Sequence, residues 1–252
     1  MTIRSALLDA MPQDSAKVPA WLGGTERRNL ANLRVPKRRA DWLLGRYAAK
    51  SVVARLLADR HRIELPLDAF DVLAEPSGAP FVRLAEDRIP PPGVTISHSE
   101  GRAFCAAWAT EAGRISVGVD LEKVSTRSSA LVRDFFRSEE IDAWESLPPG
   151  GGRDTFATAV WSAKEAVLKA FRVGLAVDTR AVGILLSTCE APGVPGLPRP
   201  DGGDWKGFEA LVFPGVPGGD RPLAGFWRED SGFVLTIAIA GPAREARSRL
   251  AA

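Results

Sequence analysis

The chain has 252 residues, 45% hydrophobic and 25% charged, ordinary globular values that exclude disorder over most of its length and any collagen-like repeat. Two cysteines, Cys105 and Cys189, and two histidines, His61 and His98, are too few for a disulfide framework or a finger-type zinc site. A net charge of +2, from 33 basic against 31 acidic residues, argues against general binding of nucleic acid or a membrane surface.

Near the N-terminus there is no apolar stretch of the signal-peptide kind. The longest apolar run in the chain, Phe233–Ala240, is far short of a membrane span, so a cytoplasmic protein is expected. Arg27, Arg28, Arg34, Lys37, Arg38, Arg39, Arg46 and Lys50 crowd together with few acids between them. Such a run is either a solvated helix face or a local anion site for a phosphate-bearing ligand. Leu44, Ala48, Val52 and Leu56 recur every four residues and predict a helix over 37–60, with Pro36 suited to its first turn. Pro66, Pro76, Gly78 and Pro80 then read as turns and irregular chain.

Val94–Ser97 and Ala103–Ala109 predict two short strands with a turn at His98–Gly101. Ile115–Glu122 is a third: Ile115, Val117, Val119 and Leu121 alternate with Ser116, Gly118, Asp120 and Glu122. Helices are expected over 128–136, 138–146 and 154–172, and a strand at Val182–Leu186. Residues 187–222 are too rich in proline and glycine for a long element, although Phe208–Phe213 fits a short strand. Phe226–Trp227 and Phe233–Ala240 read as a closing hairpin, and 243–252 as a charged helical tail. No repeat is evident by eye. Similar strand and helix content on both sides of Glu111–Arg114 predicts a two-lobed α+β protein, with lobes 1–112 and 113–252.

The chain lacks a Walker-type phosphate loop, a dinucleotide-binding glycine fingerprint and a nucleophile elbow. Carboxylates remain. Period-two alternation puts Asp120 and Glu122 on one face of their strand, about 7 Å apart, with Leu121 pointing into the core. Two anions so placed are either a solvated strand end or a site for a hard divalent cation such as magnesium. Glu165 and Lys169, four apart on a helix, are either an ordinary side-chain pair or an acid and an ammonium beside a phosphate. His98, with Ser97, is either structural or a phosphate contact.

Taken in order, these segments resemble the surfactin-type (Sfp-type) 4′-phosphopantetheinyl transferases. Gly118-Val-Asp-Leu-Glu122 is similar to that family's (I/V)-G-(I/V)-D-x-E signature, and Trp161-Ser-Ala-Lys-Glu-Ala-Val-Leu-Lys169 to its W-(S/T)-x-K-E-(A/S)-x-x-K signature. Ile96-Ser-His-Ser99 resembles its S-H-(S/T) element, Gly78-Ala-Pro80 its G-(K/R)-P element, and Arg39-Ala-Asp-Trp-Leu-Leu-Gly-Arg46 its N-terminal basic helix. The matched pieces span 37–169. Ala79 departs from the basic residue usual in the G-(K/R)-P element, so one phosphate contact is expected to be missing or supplied by another arginine such as Arg83.

The resemblance implies two similar α/β lobes related by a pseudo-twofold axis, with the active site in the cleft. It implies transfer of the 4′-phosphopantetheine arm of coenzyme A to a serine of an acyl or peptidyl carrier protein, releasing adenosine 3′,5′-bisphosphate. Asp120, Glu122 and Glu165 would hold Mg²⁺. Glu165 would also be the candidate base, and Lys169 would stabilise the leaving bisphosphate. Arg28, Arg39, Arg46, Gly78, Pro80, Ser97 and His98 would contact coenzyme A, and Glu140 sits where some members carry a further acid. Carrier docking is expected around Val124–Phe136, where Arg127 and Arg133 accompany Leu131, Phe135 and Phe136. The length suits a monomer. A non-catalytic coenzyme A or carrier-binding module and a Mg²⁺-dependent coenzyme A pyrophosphohydrolase are the competing readings.

Overall fold

The structure, a computed structural model, describes residues 3–11, 18–85, 89–109, 115–190 and 193–242. The expected lobe boundary at Glu111–Arg114 and the expected C-terminal helical tail lie outside the described residues. Among the described residues, no helix is long and apolar enough to cross a membrane.

The first half runs β1 (Ile3–Leu8), α1 (Gly24–Ala31), α2 (Pro36–His61), β2 (Phe70–Ala74), β3 (Pro80–Leu84), β4 (Gly93–Ser99) and β5 (Arg102–Trp108). The second runs β6 (Ser116–Lys123), α3 (Ser129–Phe135), α4 (Ser138–Ser146), α5 (Gly151–Ala170), β7 (Val182–Glu190), β8 (Lys206–Val212), β9 (Leu223–Asp230) and β10 (Phe233–Ala240). Every strand pairing is antiparallel. One sheet has the order β1-β5-β4 and another β6-β10-β9-β8-β7, while β2 and β3 form a two-stranded unit. The first half thus gives a strand, one short helix, a long helix and four further strands, and the second a strand, two short helices, a long helix and four further strands. The protein is α+β, as expected, and apart from the extra helix α3 its halves repeat one element order.

Strand alternation sets the layers. In β5, Ala103, Cys105 and Ala107 pack under α2, while Phe104, Ala106 and Trp108 face the second sheet. In β10, Phe233, Leu235, Ile237 and Ile239 face the first sheet, while Val234, Ala238 and Ala240 face α5. Among the described residues the sheets build three of the cores, α2 against the first sheet, sheet against sheet, and the second sheet against α5, and a small fourth cluster joins Leu22, Leu30 and Leu43.

Matching buried ion pairs anchor the two long helices. Lys50 of α2 meets Glu26 of α1 at 2.7 Å, and Lys164 of α5 meets Glu140 of α4 at 2.9 Å; all four side chains are almost completely buried. Glu26 and Glu140 are each the third residue of their helix, and each accepts a backbone N–H at its own helix start. Each also accepts a strand amide, Val72 N for Glu26 at 2.9 Å and Ile184 N for Glu140 at 2.7 Å. The two lysines donate to the carbonyls of the first residue of a 3₁₀ turn and of the residue just after it, Leu67 and Phe70 in one half and Thr179 and Val182 in the other. Burial lowers both ammonium pKa values, against the pull of the paired glutamates.

Three departures from the sequence reading have local causes. The stretch read as irregular around Pro66–Pro80 contains β2 and the start of β3; β2 is buried at four of its five positions, so it shows no alternation. His98 lies within β4, not in a turn, and the turn falls at Glu100 and Gly101, both with positive φ. The proline- and glycine-rich segment before β8 returns to the first half. Asp201 Oδ1 accepts from Ser5 N and Oγ at 3.0 Å each, and the Trp205 ring stacks on Phe104.

Candidate active site

β6 presents its odd residues, Val117, Val119 and Leu121, to the core between the sheets. Its even residues therefore face α5, which puts Gly118, Asp120 and Glu122 beneath that helix. Helix and strand touch at Gly118: a Cβ there would overlap the Ala166 carbonyl oxygen and the Ala170 nitrogen. This close approach lets the last turns of α5 lay Glu165 and Lys169 over Asp120.

Lys169 Nζ lies 2.7 Å from Asp120 Oδ1 and 3.9 Å from Glu165 Oε2. Ser97 Oγ of β4 donates to the same Asp120 oxygen at 2.8 Å. The other oxygen, Asp120 Oδ2, is buried and has no hydrogen-bond partner among the described residues. Glu122 turns the other way along the strand, accepting from Arg127 Nη2 at 2.9 Å and from Trp161 Nε1 at 3.2 Å. Burial pushes the Glu165 carboxyl above the usual glutamate range; Lys169 opposes this, while the charges of Asp120 and Glu122 add to it. Burial alone would lower Lys169, but Asp120, then Glu165 and Glu122, outweigh it and hold the ammonium above its ordinary value.

As they stand, no three His, Cys, Asp or Glu side chains among the described residues surround a point where a metal ion would sit. The reason is local: Asp120 Oδ1 is occupied by Lys169, and Glu122 by Arg127 and Trp161. The donor chemistry nevertheless fits a hard cation. The oxygens are carboxylates, and the buried, unpartnered Asp120 Oδ2 is a costly orphan that a cation would satisfy.

One cavity reaches this cluster at Lys169, and a second adjoins the first. The first, of about 290 Å³, lies between the halves and is lined by Lys169, Arg172, Thr95 and the Gly78-Ala79-Pro80 turn. The other, of about 490 Å³, shares Gly78, Pro80 and Ile96 with it and is lined by Lys37, Arg38, Arg46 and His98 against one acid, Asp41. The Arg46 guanidinium sits 5.1 Å from the Trp42 ring centroid, and its Nε is buried without a partner. A groove rich in cations thus leads to Lys169.

The expected site residues fall into three groups. Asp120, Glu165, Lys169 and Ser97 meet at one point, with Glu122 one strand position pair further on. Arg46, Gly78, Pro80 and His98 line the groove. Arg28 and Arg39 line neither cavity: Arg28 donates to Thr25 Oγ1, and Arg39 to the Leu30 carbonyl at 3.0 Å. Ser97 and His98, grouped in the sequence, point to opposite faces of β4. Arg83, the expected substitute for a basic residue at Ala79, is bound to Asp71 and Thr25. Arg172, beside Ala79 and paired with Glu75 at 2.6 Å, is the arginine that lines this cavity. Its place was readable only as the third residue beyond Lys169. In the expected docking segment, Phe136 is core, whereas Phe135 is 38% exposed and packs edge-on against Trp161.

Strand, helix and carboxylates fall inside one stretch of chain with relatives. Residues 116–223 match the 4′-phosphopantetheinyl transferase superfamily. That superfamily match takes in Asp120, Glu122, Glu165 and Lys169, and leaves out the first half with most of the basic groove. No curated protein sequence matches the chain. Among solved structures, the chain is similar to a Thermotoga maritima holo-[acyl-carrier-protein] synthase, with 16% identity and a TM-score of 0.39 over 51% of this chain and 64% of that one. A Bacillus anthracis holo-(acyl-carrier-protein) synthase, in complex with CoA (3′,5′-ADP), gives 14% identity and a TM-score of 0.37 over 51% of this chain and 98% of that one. The alignment thus spans less than two thirds of the Thermotoga chain.

Proposed function

We propose that this protein is a surfactin-type 4′-phosphopantetheinyl transferase, moving the phosphopantetheine arm of coenzyme A to a serine of an apo acyl or peptidyl carrier protein. The observation that carries this reading is the buried, unpartnered Asp120 Oδ2, set beside Glu165 and Lys169 at the end of a basic groove. The superfamily match over residues 116–223 supports it.

In this reading, Asp120, Glu122 and Glu165 would hold Mg²⁺, which when bound supplies charge neutralisation for a pyrophosphate. The basic groove takes the nucleotide end of coenzyme A, with Arg46 and His98 as anion contacts and Gly78 and Pro80 shaping the wall. The carrier serine oxygen attacks the β-phosphorus, the bond to the bridging oxygen breaks, and adenosine 3′,5′-bisphosphate leaves. Glu165 takes the serine proton, directly or through water. Lys169 stays charged and donates to the leaving phosphate oxygen. The first half, 1–112, supplies the coenzyme A contacts and the second, 113–252, the acids. Because both halves of the site come from one chain, a monomer suffices. The carrier docks beside Val124–Phe136, where Phe135 is exposed next to Arg133.

The test is the intact mass of apo acyl and apo peptidyl carrier proteins after incubation with this protein, coenzyme A and Mg²⁺, with EDTA in a parallel reaction. The expected result is a gain of one phosphopantetheine that EDTA abolishes. Coenzyme A cleavage without a carrier would favour the pyrophosphohydrolase, and binding without any turnover the non-catalytic module.

A further inference from the structure

β4 and β6 are edge strands of different sheets, and their backbones are not laddered where they meet. Side-chain hydroxyls close the seam. Thr95 Oγ1 accepts the Val119 N–H at 3.4 Å, and Ser97 Oγ accepts the Leu121 N–H at 3.3 Å. A hydroxyl that accepts from an amide still has its own proton to place. For Ser97 that proton goes to Asp120 Oδ1, 2.8 Å away in a buried setting. Lys169 Nζ donates to the same oxygen at 2.7 Å and lies 3.4 Å from Ser97 Oγ. Two donors from two different elements therefore hold Oδ1. Oδ2 is left as the oxygen with nothing bound to it.

We infer that Ser97 is a positioning residue for Asp120: acting from the other half of the molecule, it holds Oδ1 so that Oδ2 is the oxygen offered to a divalent cation. This rests on the metal reading above. It replaces the phosphate contact that the sequence suggested for Ser97, which lies on the opposite strand face from His98 and does not line the basic cavity. The direction is set by chemistry: the Asp120 carboxylate can only accept, while the Leu121 amide and Lys169 donate to the Ser97 oxygen, so the hydroxyl offers Asp120 its own proton.

The test is a Mn²⁺ titration of the full chain, followed by electron paramagnetic resonance with coenzyme A present and no carrier. It compares wild type, Ser97→Ala, Ser97→Cys and Thr95→Ala. Removing a group that orients a metal ligand typically weakens metal affinity about 10–100-fold. Ser97→Ala is expected to weaken Mn²⁺ binding by about tenfold or more. Ser97→Cys, which keeps the volume but is a poor donor, is expected to do the same, and it decides the matter if the alanine variant fails to fold. Thr95→Ala opens the same seam without touching Asp120 and is expected to leave Mn²⁺ affinity unchanged. The KM for coenzyme A at saturating Mn²⁺ is expected to stay constant in the Ser97 variants. Unchanged Mn²⁺ affinity with a raised KM would return Ser97 to the role of ligand contact. Equal weakening in Thr95→Ala would assign the effect to the seam at large and overturn the inference. Wild-type protein that binds no Mn²⁺ would defeat the metal reading itself, and the inference with it.

Discussion

Asp120 has two oxygens with opposite surroundings: Oδ1 takes hydrogen bonds from Lys169 and Ser97, and Oδ2 takes none. Leaving a buried acceptor unmade costs about 1–3 kcal/mol, so the site is held in a form that gains by binding something positive. Asp120→Ala is accordingly expected to abolish transfer to a carrier, with excess Mg²⁺ rescuing it poorly; near-native turnover in that variant would show that Asp120 holds no metal. Asp120 and Glu122 were legible in the sequence because strand alternation is strict, and Glu165 and Lys169 because four residues make about one helical turn. What surrounds them was not legible. Arg127, Trp161 and Ser97 reach these acids from other elements, and nothing in local spacing signals such a meeting.

Between elements, the decisive contact is α5 lying on β6 at Gly118. The glycine is there for closeness, since its φ is not positive and any larger side chain would strike the helix backbone. Gly118→Ala is expected to push α5 off β6, destabilising the protein by about 1–3 kcal/mol, as overpacking does. It should also lower turnover more than the stability loss explains, because Lys169 and Glu165 travel with the helix. Urea unfolding and carrier-mass kinetics on the same sample check both parts, and unchanged kinetics would detach the helix position from the chemistry. Long periodic elements such as α2 and α5 were readable. Strand β2 was not, because it is buried on both faces and so lacks alternation, and α1 was not, because five of its eight residues are polar or charged and its buried Glu26 looks like a surface acid.

Across the whole molecule, one core joins the two sheets, and the Asp201 and Trp205 contacts tie the second half back to β1 and β5. The halves are therefore expected to unfold together. Glu140→Gln leaves the Lys164 ammonium buried without its counter-charge, a change that typically costs about 3–5 kcal/mol. Glu26→Gln does the same to Lys50. Each is expected to lower a single urea transition by a similar amount; two separate transitions would show that the halves are independent. The internal repeat escaped notice in the sequence because few side chains survive in both copies. Tyr47-Ala-Ala-Lys-Ser-Val-Val53 and Trp161-Ser-Ala-Lys-Glu-Ala-Val167 share mainly an alanine, the buried lysine and a valine.

The paired lysines give a ruler for comparing the copies. Glu26 stands 24 residues before Lys50, and Glu140 the same distance before Lys164. When Lys50 is laid on Lys164, Ser51 and Arg55 fall where α5 has Glu165 and Lys169. The scaffold is thus written twice and the acids once. A symmetric dimer of one half could not arrange this, since whatever one subunit carried its twin would carry too. Joined in a single polypeptide, the two long helices need not carry the same residues: α5 holds Glu165 and Lys169 beside Asp120, while α2 turns Lys37, Arg38 and Arg46 to the basic cavity, a division that symmetry would forbid.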